Sequence, residues 1–154
     1  MRRFRQQLTP EQCAEVLTAA PRGVLAVLGD GGYPYALPMD FVYDAHSGNL
    51  YFHCAKEGHK LDAIRGCDKV SFCVMDEGFR REGEWALNIR SVIVFGRIRI
   101  VEDRARTIEM VRRLGLKYNP DPADVEEEIR RTADRVLCLQ LIPEHISGKL
   151  VNES

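Results

Sequence analysis

Two histidines, a cysteine and a lysine fall within one short stretch, Leu50–Leu61, LYFHCAKEGHKL. The apolar run Leu50, Tyr51, Phe52 ends in His53. Cys54 and a small polar loop follow, and His59 and Lys60 then open HKLDAIRG, which has the pattern of a helix. A strand end, a loop of small residues and cations at a helix start make an anion site. The free N–H groups of the first turn and the positive end of the helix dipole point at the same place. Lys60 adds a point charge that suits a phosphate. His53 has an ordinary pKa near neutrality, so it is the residue able to hold or release a proton there. Against this, a histidine at a strand end is often half-buried and hydrogen-bonded, and a lysine at a helix start is often solvated. Spacing alone leaves both readings open. His53 and His59 stand six apart with no carboxylate or cysteine array to complete a metal site, so no metal is expected.

The elements that must position these residues are mostly strands. A helix is expected from about Thr9 to Ala20, with Thr9 as N-cap and Pro10 as its first residue. Strands follow at Gly23–Leu28, at Tyr35–Tyr43, where Pro38 marks a bulge or an edge, and at Leu50–His53. Short turns join these three, which predicts an antiparallel meander. Gly29–Gly32 looks like a phosphate loop but is followed by a strand, so it is a hairpin turn. After the helix at His59–Arg65 come a strand at Lys69–Met75, a charged loop at Asp76–Glu84 and a long strand at Ile89–Val101 with a bulge or close approach at Gly96. Helices at Asp103–Leu114 and Ala123–Arg131 precede a final strand, Val136–Ile142. Six β segments with few crossover helices predict a mainly β (α+β) fold, a closed or nearly closed barrel that hides its edges. Arg97 and Arg99 read as solvated strand residues, one of which can face a partner in a dimer. Trp85 either covers a ligand from a second subunit or fills a local core.

Composition bounds the rest. With 154 residues the chain suits a single domain. The apolar share is 45%, the charged share 29% and the net charge −1, so no basic field argues for nucleic acid or acidic lipid. No apolar run approaches the roughly 20 residues of a membrane span. The opening MRRFRQQLTPEQ has no apolar segment behind it, so no secretory signal is expected and the cytoplasm is the expected compartment. The five cysteines, an odd count without C-x-x-C spacing, read as free thiols in a reducing compartment. Cys73 and Cys138 sit in apolar runs and are expected in the core.

The order of motifs PYALPMDFVYD, LYFHCAKEGHKLDAI, KVSFCVMDE, RSVIVFGRIRIVED and LIPEHISGK resembles the FMN-binding split-barrel superfamily that includes pyridoxamine 5′-phosphate oxidase. Within it, the chain looks most like the 5-nitroimidazole resistance branch. The resemblance runs from about Met1 to Lys149. It implies a six-stranded antiparallel split β-barrel with flanking helices, forming a homodimer with FMN at the subunit interface. It places Tyr35, Ala36, Leu37, Pro38, Met39 and Asp40 along the flavin, mostly through backbone groups. It puts His53 and Cys54 near the ring and ribityl chain, with His53 as the catalytic residue. His59 and Lys60 would hold the phosphate, and Ser91 would approach the isoalloxazine edge, where oxidase relatives carry a glutamine. Those oxidases also carry a hydroxyl residue at the Cys54 position and an arginine at His59, and both departures weaken phosphate contacts. Their substrate-binding C-terminal segment has no counterpart here, which disfavours pyridoxine chemistry. Ser147 and Lys149 close a motif typical of the branch, as structural caps or as contacts to the site. The implied activity is an FMN-dependent oxidoreductase that reduces a small aromatic acceptor such as a nitro compound or quinone. The alternative is a non-catalytic FMN- or haem-binding protein that stores or senses its cofactor.

Overall fold

The computed structural model describes residues 6–153, so the first five residues of the stretch in which no secretory signal is expected lie outside the described residues. Helix α1 (Pro10–Ala19) begins as expected: Thr9 Oγ1 accepts from the Gln12 N–H at 3.3 Å, and the Gln12 side chain accepts from the Thr9 N–H at 2.9 Å. Strands β1 (Arg22–Leu28) and β2 (Pro34–Asp40) form a hairpin around a short 3₁₀ turn, Asp30–Gly32. Then come β3 (Val42–Asp44), β4 (Asn49–Ala55), α2 (His59–Gly66), β5 (Lys69–Met75) and β6 (Leu87–Ile100). Helices α3 (Arg104–Tyr118) and α4 (Pro122–Thr132) lead into β7 (Val136–Glu153).

All pairings between these strands are antiparallel, in the order β2-β1-β5-β6-β7-β4-β3. The two edge strands, β2 and β3, are consecutive in the chain with only Phe41 between them. A sheet whose edges are joined by one residue must curl until they meet, and this is what makes it a split barrel. There are therefore seven strands where six were expected, because Tyr35–Tyr43 is two strands. Phe41 breaks the stretch by turning fully into the core, where it packs on Phe72 at a centroid distance of 4.9 Å. The predicted meander is likewise cut at this point: β1 pairs with β2 and β3 with β4, but β2 has no ladder to β4. Helix α3 holds the seam. Lys117 Nζ donates to the Phe41 carbonyl at 2.9 Å and the Ala20 carbonyl at 2.8 Å, and Tyr118 Oη accepts from the Phe41 N–H at 3.2 Å and donates to the Pro21 carbonyl.

The last strand runs eleven residues past its expected end at Ile142. Pro143 and Gly148 look like breakers but are accommodated. Between Phe95↔His145 and Gly96↔Pro143 the register slips by one residue, so Pro143 sits at a bulge and Glu144 is the extra residue. Gly148 lies against α1: a Cβ there would meet Cys13 Sγ at 2.6 Å. Helix α3 also runs a turn beyond the expected Leu114.

Alternation decides what faces inward. Phe52, Phe72, Leu25, Val92, Val94 and Leu141 fill the barrel with Phe41. The outward positions divide into two regions. Those of β4 and β7, Tyr51 and Cys138, are covered by Met110 of α3. Those of β1, β5 and β6 are bare, with Val24, Leu28, Met75, Ile93 and Phe95 all exposed. The sequence expectation for Cys73 is corrected here: Phe72 and Val74 point inward, so Cys73 between them faces outward and is exposed, while Cys138 is buried as expected. Among the described residues no helix is long and apolar enough to cross a membrane.

Candidate functional site

Strand β2 is bonded only to β1, so the backbone groups along its other side are unpaired in the sheet. The first turn of α2 stands beside that strand. Tyr35 and His59 meet edge to face with ring centroids 4.7 Å apart, and Lys60 Nζ reaches Met39 Sδ at 3.6 Å. Both ends of β2 are thus tied to one helix turn. That turn starts at Gly58, whose φ of 141° is a conformation side chains resist. No side chain caps it, and space is open where a Cβ would be. The first N–H groups of a helix have no intrahelical partner, so those of His59 and Lys60 are free for an anion. Lys60 is half-buried, and among the described residues it has no carboxylate partner, its one contact being a thioether, a weak acceptor. His59 has a competitor: its Nδ1 lies 3.6 Å from Asp30 Oδ2. Uncapped N–H groups, an unneutralised lysine and an unpaired strand edge form a donor set that fits a phosphate monoester carrying a planar, hydrogen-bonding group.

His53 and Cys54 are neighbours on β4 and so point to opposite faces. Cys54 enters the barrel, 6% exposed, and burial raises its pKa, with Lys60 pulling weakly the other way. It is an unreactive thiol at the corner of the anion region. His53 points outward and lines a cavity of about 430 Å³ between β4, β7, α3 and α4. Desolvation by the surrounding atoms lowers its pKa, the nearby Asp40 raises it, and Lys60 lowers it further. The outcome is an imidazole below its ordinary pKa and therefore neutral near pH 7, where one ring nitrogen donates and the other accepts. Asp40, held by Arg22 at 2.7 Å, lines the same cavity. Its other walls are largely apolar, with Val111, Leu114, Val125 and Ile129 from the two helices.

The structure thus gathers Tyr35, Met39, His59 and Lys60 around the strand edge, and Asp40 with His53 around the cavity, and the charges of Lys60 and Asp40 both reach His53. Leu37 lies half-buried between Tyr35 and Met39 on one face of β2, while Ala36 and Pro38 alternate to the face shared with Val24. Ser91 is elsewhere: on β6, opposite Met75 and Lys149, with β5 and β1 between it and β2. Trp85 is 89% exposed in the loop before β6, so it does not fill a local core within this chain. Ser147 and Lys149 are rungs of β7, opposite Ile93 and Ser91. Arg97 binds Asp68 and Glu144, and Arg99 donates to Gln140, as surface strand residues do. Sequence reasoning missed the helical wall of the cavity, Gly115, Tyr118, Asp124 and Glu128. One signal was available: Gly115, directly after the expected helix end at Leu114 and in fact within the last turn of α3. A Cβ at Gly115 would meet Val125 Cγ1 at 2.8 Å, so this residue is what lets α3 and α4 approach.

The fold has counterparts among solved structures. A candidate 5-nitroimidazole antibiotic resistance protein of Bacteroides thetaiotaomicron superposes with a TM-score of 0.77 at 16% identity, over 95% of this chain and 87% of its own. An FAD-binding protein of Mesorhizobium loti gives 0.68 at 23% identity, over 95% and 97%. An FAD and haem binding protein of Mycobacterium smegmatis gives 0.74 at 22%, over 94% and 73%. At these identities the likeness establishes the fold alone. Among curated proteins none matches the sequence. The sequence profile described as pyridoxamine 5′-phosphate oxidase matches residues 9–150. With nearly the whole chain matched and the seven strands closed into a split barrel, the protein belongs to the pyridoxamine 5′-phosphate oxidase family.

Proposed function

We propose that this protein is a flavin-dependent oxidoreductase that binds FMN and reduces a small aromatic acceptor, such as a nitro compound or a quinone. The observation that carries the reading is the position of His53. Its side chain lines an apolar cavity of about 430 Å³, large enough for a small ring, on the same strand that leads into the anion region at α2. An apolar cavity beside a side chain able to carry a proton suits a small aromatic acceptor, and this favours the enzyme over a protein that only holds a flavin. Bound FMN would supply the redox chemistry. The chain's own residues would hold and shape the site. Lys60, His59 and the free N–H groups of α2 would take the phosphate, and the unpaired edge of β2, from Tyr35 to Asp40, would offer backbone groups to the ring system. Cys54 fills the corner between strand and loop. A neutral His53 would orient the acceptor through its donor nitrogen and move a proton.

The same reading makes the active unit a homodimer. The bare outer face of β1, β5 and β6, with Val24, Leu28, Ile93 and Phe95, is an apolar surface of the kind subunit interfaces cover. Ser91 lies on this face, and Trp85 in the loop before β6, so pairing two copies there is what would carry Ser91 to the partner's strand edge. The test is to purify the protein, titrate it with FMN, and add NAD(P)H and a nitroimidazole anaerobically. The expected result is a yellow dimer whose reduced flavin is reoxidised by the acceptor. A flavin-loaded protein that no acceptor reoxidises overturns the enzyme reading, and a protein that takes up no FMN overturns both.

A further inference from the structure

The cavity beside His53 has a charge pattern that says what enters it. Its floor is the outer face of β4 and β7, and its roof is α3 and α4. The charged groups that line it are all carboxylates besides His53: Asp40, Asp124 and Glu128. Among the described residues no lysine or arginine lines it. Two of the three carboxylates are partly offset from outside. Arg22 holds Asp40 at 2.7 Å, and Arg131 lies 3.6 Å from Glu128. Among the described residues Asp124 has the Asn119 amide alone, which donates to it at 3.3 Å. Two lysines of the neighbouring elements are directed elsewhere: Lys117 Nζ spans the Ala20 and Phe41 carbonyls, and Lys60 reaches Met39 on the α2 side of His53. His53 therefore separates two environments of opposite sign. A positive field reaches it from the α2 side, and a negative field fills the apolar space toward α4. Asp124 and Glu128 are exposed at the rim of this apolar space, so they attract a cation and repel an anion at its mouth, an effect that solvent and salt screen in part.

We propose that this cavity is the acceptor pocket and that Asp124 and Glu128 make it selective for planar apolar rings that are neutral or cationic, against rings that carry a carboxylate. The proposal rests on the oxidoreductase reading and adds to it the place and the charge of the substrate. It also separates substrate from cofactor. The phosphate is drawn to the Lys60 side, and the acceptor is drawn to the other side of the same histidine.

A calorimetric titration with three para-substituted nitrobenzenes tests it: 4-nitrobenzamidine, whose cationic amidinium is flat and close in size to a carboxylate, 4-nitrotoluene and 4-nitrobenzoate, each added to the protein with and without FMN. The cation is expected to bind at least about tenfold more tightly than the carboxylate, with the neutral ring between them. The Asp124→Asn/Glu128→Gln double variant should bring cation and carboxylate to within about threefold while leaving the neutral probe unchanged. Asp124→Asn alone, at an exposed position in the first turn of α4, gives an intermediate ratio in a protein whose core is untouched. Equal affinities, a preference that survives in the double variant, or no binding of any probe overturns the proposal. FMN uptake and reduction of 4-nitrotoluene are followed on the same preparations. Reduction without the charge order removes the pocket assignment and leaves the oxidoreductase reading standing. The charge order without FMN uptake does the reverse.

Discussion

The two sides of His53 are built in different ways. On the α2 side the groups come from one contiguous stretch, His53 to Lys60, laid against a neighbouring strand edge, and the groups that matter are backbone N–H donors and one lysine. On the α4 side the walls come from Asp40, α3, α4 and the start of β7, and what matters is a volume. A polar subsite can be made by local chain geometry, because helix ends and strand edges expose donors wherever they occur. An apolar cavity is the space left by packing remote elements against one another, and no short segment contains it. The contrast predicts that the first side tolerates changes in the second, and that both depend on the barrel seam between them.

The largest effect should follow from breaking that seam. Phe41 is fully buried between the two edge strands, so Phe41→Ala is expected to cost about 3–5 kcal/mol of stability, measured by denaturant unfolding. It should impair both flavin uptake and probe binding, and if the folded variant keeps either unchanged, the two sides are less coupled than the closure implies. His53→Gln keeps a hydrogen-bonding side chain but cannot exchange a proton. The rate of acceptor reduction should fall about a hundredfold while FMN affinity stays the same. A parallel loss of FMN affinity would place His53 on the cofactor side alone. Lys60→Ala should weaken FMN binding by about 1–3 kcal/mol in a fluorescence titration and leave ring probes in the cavity untouched. An unchanged FMN titration would remove the lysine from the site.

The smallest effect concerns Lys117, which ties α3 to the seam. Burial lowers its pKa from the ordinary 10.5 to about 8, with Asp40 pulling slightly upward. Between these values the unfolded chain holds the proton and the folded chain has released it, so the lysine's contribution to stability rises with pH across that window. The buried thiols of Cys54 and Cys138, raised by burial, act in the opposite sense at alkaline pH, but they are common to wild type and variant. The melting-temperature difference between wild type and Lys117→Met should therefore shift in favour of wild type from pH 8 toward pH 10. A constant difference would mean that the seam does not desolvate the lysine.

Much of the polar side was legible in the sequence because its signals are local. The helix start after Gly58 and the N-cap at Thr9 each depend on neighbours a few residues away, whereas the opposite facing of His53 and Cys54 appears only because the strand runs on to Ala55, two residues past its expected end. The misreadings came where distant contacts decided. Phe41 ended a strand because the far edge of the sheet lay beside it. Pro143 and Gly148 continued one because a bulge and the surface of α1 made room for them. Cys73 sits in an apolar run and still faces outward, since a run of apolar residues does not say which of two faces is covered.

The sequence by itself determined the strand-rich class, the turn chemistry and the family, and it marked His59 and Lys60 at the start of a helix, because composition, periodicity and the order of motifs are properties of short segments. Only the tertiary structure decided that the barrel closes through a single residue, that one outer face is roofed by two helices while the other stays bare, and that an acid-lined space adjoins His53. These depend on which remote surfaces come to lie against each other, and that is settled by packing the whole chain at once.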